Sequence, residues 1–585
     1  MKWPRTTNKI PTEVEYLERV PMDNDVRQHC TAHACAHNNS FIIMYSDFGS
    51  SLWSVPETGA SRYSVELPQF TVLRGAYMHP EHYNNIMRRV NHCNKSTLFR
   101  VLRFLSTETK ILKEFNEIPG PISLPLVGTL YQYFPVFGKY KFDRLHHNGL
   151  TKLRQYGPVV REDIVPGVSI VWIFKPEDIE MLYRKEGRYP ERRSHLALQK
   201  YRLSKPDVYN TGGLLPTNGK DWWRLRKAFQ KHLSKVQCVK GYVNSTNTVV
   251  GEFIDRRIRR EGRTDDFSPE LSRLFLELTY YIAFDKRLQR FKDKEWDSNS
   301  ESSKLIKAAH DINSAILKTD NGPQLWRKFE TPMYKSIKKG HEHIEKIALK
   351  VVSEKLTSIK TTDSKTSLLG EYLSSDETDY KDVVGMTVDT LLAGIDTATY
   401  SCCFGLYHLS SNPDVQKKIF DEARALLSDN NTPVTDRILE RAVYSKAVVK
   451  EMFRMNPISV GVGRILPEEC VFSGYRVPAG TVVVTQNQVS CRQEEYFRRP
   501  DDFVPERWLK GSVHYESVSP YLVLPFGHGP RTCIARRLSE QFLQVVLIKI
   551  VRNFEMTWTG PKLDSKSLLI NKPDGPISLI FKTRD

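Results

Sequence analysis

Thirteen residues near the C-terminal end, Pro525-Phe526-Gly527-His528-Gly529-Pro530-Arg531-Thr532-Cys533-Ile534-Ala535-Arg536-Arg537, constrain the fold of this chain most. Two glycines and a proline force a tight turn, and an apolar stretch of 3.6-residue period then predicts a helix over 534–552. Cys533 stands just before that helix. Free backbone N–H groups and the positive end of the helix dipole there favour a thiolate. Such a thiolate can ligate iron and push electron density toward dioxygen, favouring O–O cleavage. A lone cysteine is usually a small buried hydrophobe; the flanking pattern sets this one apart.

The other eight cysteines are scattered, the total is odd, and no CxxC spacing repeats, so a reducing compartment fits better than a disulfide framework. The 585 residues suffice for a large core. No apolar run approaches the roughly 18 residues of a membrane-spanning helix; Phe41–Tyr45 is far too short. A net charge of +18 predicts attraction to anionic partners. No zinc-finger spacing, helix-turn-helix or aromatic RNA-binding motif directs that charge to nucleic acid.

Three regions differ in character. Residues 1–86 are polar and show no periodic pattern, so an irregular extension is expected. Residues 87–107 hold five Arg/Lys and no acid. On a helix, Leu98, Val101, Leu102 and Leu105 share one side while Arg100 and Arg103 lie away from it. A basic, acid-free amphipathic segment is what a mitochondrial transit peptide looks like. Import machinery reads such a helix at the extreme N-terminus, so translation is expected to start at Met87. Arg103-Phe104-Leu105-Ser106 resembles a matrix-peptidase site, which would place the mature end near Ser106.

The Pro119-Gly120-Pro121 cluster is a stiff entry to a folded unit spanning 118–585. Helices are predicted at about 222–234, 245–260, 268–285, 302–320, 335–356, 381–411, 413–427 and 436–455, besides 534–552. Strands are predicted near 158–175, 464–485 and 567–582. The fold class is mainly α with a minor β-sheet.

Glu451 and Arg454 lie at i, i+3, where they can pair. Within 381–411, Asp396 and Thr397 put an acid beside an alcohol, a combination able to pass protons toward dioxygen. Gly394 removes a side chain where a ligand would approach that helix.

With these residues assembled, the chain resembles the cytochrome P-450 superfamily. The haem signature is matched at Phe526, Gly527, Gly529, Arg531 and Cys533, with Ala535 where the family usually has glycine. The resemblance covers about 118–585. It implies the family's fold, with haem b between a long central helix and the cysteine-loop helix and iron ligated by Cys533. It implies that Arg507 in Pro505-Glu506-Arg507-Trp508 joins Glu451 and Arg454 in a structural cluster. Trp222 and Arg226 match the family's WxxxR helix; with Arg464 and Arg531 they are expected to hold the haem, three guanidiniums for two propionates. Trp223 is expected to pack. Proton delivery falls to Asp396 and Thr397, with Ala398 where a second hydroxyl is common.

Lys446 and Lys450 share a helical face at i, i+4. They resemble the lysines with which the mitochondrial group docks an acidic two-iron ferredoxin, itself reduced by a flavoprotein and NADPH. The doubled Arg536-Arg537 is also typical of that group. Such membership implies a peripheral place on the matrix side of the inner membrane.

Several stretches are similar to the insect ecdysteroid 22-hydroxylases of the Disembodied type. They include Arg192-Arg193-Ser194-His195-Leu196-Ala197-Leu198, Gly213-Leu214-Leu215-Pro216-Thr217-Asn218-Gly219 and Pro457-Ile458-Ser459-Val460-Gly461-Val462-Gly463-Arg464. The implied reaction inserts one oxygen atom at carbon 22 of a steroid side chain. Tyr209–Pro216, Leu391–Ala393, Ile458–Val462 and Leu568–Ile570 would face the substrate. Two alternatives stand beside this: a mitochondrial monooxygenase of another sterol or of xenobiotics, and a haem-binding protein without oxygenase activity, including a haem-thiolate isomerase.

Overall fold

The longest helix among the described residues, Tyr380–Ser411, spans 32 residues and is apolar on most of its faces. A helix of that pattern has to be surrounded, and it is: helices Ser268–Phe284, Glu301–Asn321, Pro332–Thr362 and Arg536–Asn553 all pack on it. Asp379 caps its start by accepting the Asp382 N–H at 2.8 Å. At the far end Pro413 opens the next helix, Pro413–Leu426, at a position where a proline costs no hydrogen bond.

This computed structural model describes residues 112–584 apart from 166, 289–290, 292 and 363–366, together with the backbone of four short strands within 32–73. The chain divides into two units, Met1–Lys110 and Ile111–Asp585. In the first, strands Ala32–His37, Ser40–Met44, Ser61–Glu66 and Val72–Leu73 pair antiparallel. The sequence shows no such order there. The Phe41–Met44 run is strand-like in composition but too short to stand out alone. The amphipathic segment 87–107 lies outside the described residues.

The second unit is mainly helical, with a minor sheet set against the helices. Its largest sheet has four strands in the order Val159–Val165, Val168–Ile173, Val482–Thr485, Gly463–Ile465. Val482–Thr485 runs parallel to Val168–Ile173 and antiparallel to Gly463–Ile465. Residues 312 apart in sequence thereby meet, as Val482 does Ile170, and the Arg464 strand comes beside the cysteine loop. Among the described residues, no helix is long and apolar enough to cross a membrane.

Most predicted helices form within a few residues of their expected bounds. One is broken: 436–455 becomes Asp436–Arg441 and Val443–Met455. The cause is tertiary. The Glu422 carboxylate, on the preceding helix, accepts the backbone N–H groups of Tyr444 and Ser445 at 2.6 and 2.8 Å, capping a new start. Short helices such as Leu145–Tyr156, Pro176–Lys185 and Leu196–Leu203 have too few periodic positions to be read from sequence.

Candidate active site

The cysteine loop takes its shape from backbone that only glycine adopts freely. Gly527 and Gly529 have φ of 70° and 71°. A Cβ on Gly529 would lie 1.7 Å from Glu186 Oε1, so the position also admits no larger residue. The Cys533 N–H donates to the Phe526 carbonyl at 2.8 Å and closes the loop. Phe526 packs edge-on against Phe453 at 5.1 Å and does not itself line the cavity above the cysteine. His528 stands edge-on to both Tyr183 and Tyr521. The helix behind the loop starts at Arg536 with Ala535 as its cap, two residues later than expected.

Cys533 opens into a cavity lined also by Trp222, Arg226, Arg192, Thr397, Ala398, Arg531 and Ala535, with apolar walls from Leu214, Leu215, Met386, Ala393 and Phe542. The loop does not lower the thiol pKa as its sequence suggests. Removal from bulk water pushes it up, and the Ala535 N–H and the Arg226 guanidinium offset this only in part. A bound cation is what such a thiol needs to lose its proton.

The guanidiniums crowd one another. Arg531 lies 4.0 Å over the Trp222 ring and donates to Pro190 O, Thr217 O and Asn218 Oδ1. Its Nη1 is buried with no partner. Burial, together with Arg192, Arg464 and Arg226, pushes Arg531 down to about 8. Arg192, which the sequence does not single out, enters the same cavity wall. It is pushed down to about 10 by burial, Arg464 and Arg226. A site that crowds arginines and leaves one N–H unpaired fits an anion, and the two propionates of haem supply that charge.

Arg464 departs from expectation. Its Nε donates to Glu186 Oε2 at 2.6 Å, its Nη2 reaches the His528 carbonyl at 3.4 Å, and it does not line the cavity. A fully buried guanidinium requires a counter-charge, and Glu186 provides it. Arg226 lines the cavity with its Nε held by Gln230 at 2.6 Å. Trp223 stands edge-on to Tyr189, as expected of a packing residue.

Asp396 and Thr397 part company. Thr397 lines the cavity and donates to the Ala393 carbonyl at 2.6 Å. Asp396 turns toward the Glu301–Asn321 helix, where Asn313 Nδ2 donates to its Oδ2 at 3.1 Å and His310 Nδ1 lies 3.9 Å away. Burial raises the Asp396 carboxyl to about 6, with Asn313 and Lys572 opposing. Gly394 lines the cavity, but its tightest constraint is a helix neighbour: a Cβ there would meet Thr279 at 2.6 Å. Of the segments expected to face substrate, Leu214, Leu215 and Ala393 reach this cavity. Ile458–Val462 and Leu568–Ile570 do not.

Glu451, Arg454 and Arg507 meet in one buried cluster. Both Arg454 Nε and Nη2 donate to Glu451 at 2.9 Å, as does Arg507 Nε. Trp508 Nε1 donates to the same carboxylate at 2.9 Å. Arg454 Nη1 also donates to the carbonyls of Cys491 and Pro500, which ties the 491–500 segment to the Val443–Met455 helix.

Lys446 and Lys450 are both exposed on the Val443–Met455 helix. Lys446 Nζ donates to the Glu440 carbonyl, and Lys450 Nζ lies 4.1 Å over the Trp508 ring. Although the side chain is exposed, its Nζ over the Trp508 ring is partly desolvated, and this together with Arg536 lowers the Lys450 pKa, so Arg536 stands close to this face. Arg536 pairs with Glu540, whereas Arg537 turns away to the Ser234 carbonyl.

A mainly helical fold with a cysteine loop, a guanidinium-lined cavity and a buried Glu–Arg–Arg cluster defines a haem-thiolate protein. The cytochrome P450 family matches residues 118–581, and the chain belongs to that family. It is a haem-binding oxidoreductase of the monooxygenase class. It is 46% identical to cytochrome P450 302a1, mitochondrial, of Drosophila melanogaster over 82% of this chain and 97% of that one. The probable cytochromes P450 301a1 and 12b2, both mitochondrial and from the same fly, are each 30% identical, over 79% and 80% of this chain and 86% and 89% of theirs.

Proposed function

We propose that the chain is the mitochondrial, ferredoxin-dependent hydroxylase of carbon 22 of an ecdysteroid precursor. The observation that carries the chemistry is the convergence of Cys533, the arginine-rich wall and Thr397 on one cavity. The substrate class rests on the resemblance to insect ecdysteroid 22-hydroxylases, and the 46% identity supports it. Apolar walls with few polar anchors suit a sterol.

Haem ligated by Cys533 would supply dioxygen activation, by which one oxygen atom would enter a C–H bond and the other leave as water at the cost of two electrons and two protons. Arg226, Arg531 and Arg192 would hold the propionates, whose negative charge would offset the crowding of the three guanidiniums. Arg464 acts one step back: with Glu186 it braces the loop. Thr397 positions a proton donor at the cavity, and Asp396 is the acid reserve on the far side of the helix. Lys446, Lys450 and Arg536 form the docking face for an acidic ferredoxin; Arg537, held by the Ser234 carbonyl, lies outside it. The working place is the matrix side of the inner membrane, held peripherally.

Reconstitution with ferredoxin, its flavoprotein reductase and NADPH tests this. A 22-deoxy ecdysteroid should gain one oxygen at carbon 22, identified by mass spectrometry and NMR. Turnover of a different sterol or a xenobiotic in preference, or conversion without electrons, would assign another activity.

A further inference from the structure

Away from the haem cavity, two consecutive histidines converge on one carboxylate that no step above uses. His146 and His147 lie in the first turn of the Leu145–Tyr156 helix, and Asp564 precedes the strand Ser565–Ser567. His146 Nε2 is 3.0 Å from Asp564 Oδ1, and His147 Nε2 is 2.7 Å from Asp564 Oδ2. Their ligand atoms all lie within 4.8 Å of one another. Adjacent side chains on a helix diverge by about 100°. Here both rings bend to the same point, edge to face with centroids 4.2 Å apart.

We propose that His146, His147 and Asp564 form a binding site for one divalent cation of the zinc class. Bonds of about 2.0–2.1 Å at tetrahedral angles hold donor atoms roughly 3.3 Å apart. The observed 2.7 and 3.0 Å contacts, one to each carboxylate oxygen, open by about 0.6 and 0.3 Å to reach that spacing, and the remaining ligand-atom separations start within 4.8 Å, shifts that side-chain rotation supplies. Two imidazoles and a carboxylate suit zinc rather than calcium or magnesium, which favour oxygen ligands. One tetrahedral position stays open to water.

The electrostatics agree. Arg144 approaches Asp564 at 3.4 Å, but it binds Asp574 more closely, at 2.9 Å. Two carboxylates therefore face one guanidinium, leaving a negative charge for a cation to neutralise. His146 Nδ1 is buried with no partner, so the ring makes its polar contact through Nε2, at the site. His147 and Asp564 are 59% and 40% exposed, which gives the ion a way in. Bound there, it would tie an early helix to the C-terminal strand pair Ser565–Ser567 and Asn571–Pro573.

The haem-loaded protein, stripped with a chelator and dialysed, is titrated with zinc and followed by calorimetry and by metal analysis with iron as internal standard. One equivalent of zinc should bind and raise the thermal midpoint, while magnesium and calcium leave it unchanged. Loss of a hydrogen-bonding partner of a ligand already weakens metal sites by about 10- to 100-fold. His147→Ala, which removes an exposed ligand, should therefore weaken binding at least tenfold with the haem spectrum intact, and Asp564→Asn should do the same. Stoichiometry and midpoint shift that persist in His147→Ala would place the zinc at other surface histidines and overturn the site. So would the absence of any binding to the parent protein.

Discussion

The Thr397 hydroxyl is the one side chain of the acid–alcohol pair that reaches the cavity. Replacing it by Ala should leave haem content and substrate binding close to the parent while diverting electrons to peroxide. General acid–base groups contribute about 100- to 10,000-fold, and water that fills the vacated hydroxyl position reduces the loss. Product formed per NADPH consumed is the measurement; a parental ratio would remove Thr397 from proton delivery. Asp396 carries a separate expectation. Burial raises its folded-state pKa to about 6, so the folded protein binds a proton that the unfolded chain releases near its ordinary 3.8. Stability from this group therefore falls as pH rises from about 4 to about 6 and is level above. Its side chain is 3% exposed, and raising a buried carboxyl from 3.8 to about 6 corresponds to about 3 kcal/mol. Asp396→Asn should remove that slope and raise stability at neutral pH by an amount of that order, read from denaturation midpoints across the pH range. At this scale Cys533 and Glu451 with Arg454 were legible in sequence, because fixed spacing carries them. Arg192 and the outward turn of Asp396 were not. Arginine crowding exists only once distant segments meet, and adjacent helix residues point about 100° apart, so neighbourhood in sequence is not a shared direction.

Among the elements, the Val443–Met455 helix does two jobs on opposite faces. Inward, Glu451 binds Arg454, Arg507 and Trp508; outward stand Lys446 and Lys450. Glu451→Gln leaves the buried Arg454 guanidinium without a counter-charge, while Arg507 keeps Glu516, and breaking such a pair costs about 3–5 kcal/mol. The variant should purify with little haem; normal haem incorporation would contradict a bracing role for the cluster. Reversing Lys446 and Lys450 together to Glu should depress ferredoxin-supported turnover while turnover driven by a chemical oxygen donor persists. In the parent protein, the ferredoxin KM should rise with salt, since screening at ~0.1 M already acts over about 10 Å. A double variant with parental ferredoxin kinetics would place the docking face elsewhere. The break of the predicted 436–455 helix at Ala442 belongs here as well. Periodicity continues through it, and only the Glu422 carboxylate arriving from another helix stops it.

Over the whole molecule, the cavity that would hold the haem lies where a long apolar helix meets a glycine-shaped loop, with Arg464 and Glu186 bracing that loop, and the family spans 118–581. The helical architecture was legible because long amphipathic and apolar helices carry a strong period. The sheet was only outlined, because a pairing such as Val482–Thr485 with Val168–Ile173 leaves no local mark on either strand. Substrate identity rests on resemblance, and the central claim beneath it is that the Cys533 thiolate holds the iron. The direct measurement is the absorption spectrum of the reduced protein under carbon monoxide, parent against Cys533→Ala. The parent should show the strongly red-shifted band of a thiolate-ligated haem and the variant none. A variant that keeps the band would assign the iron to another ligand and contradict the account.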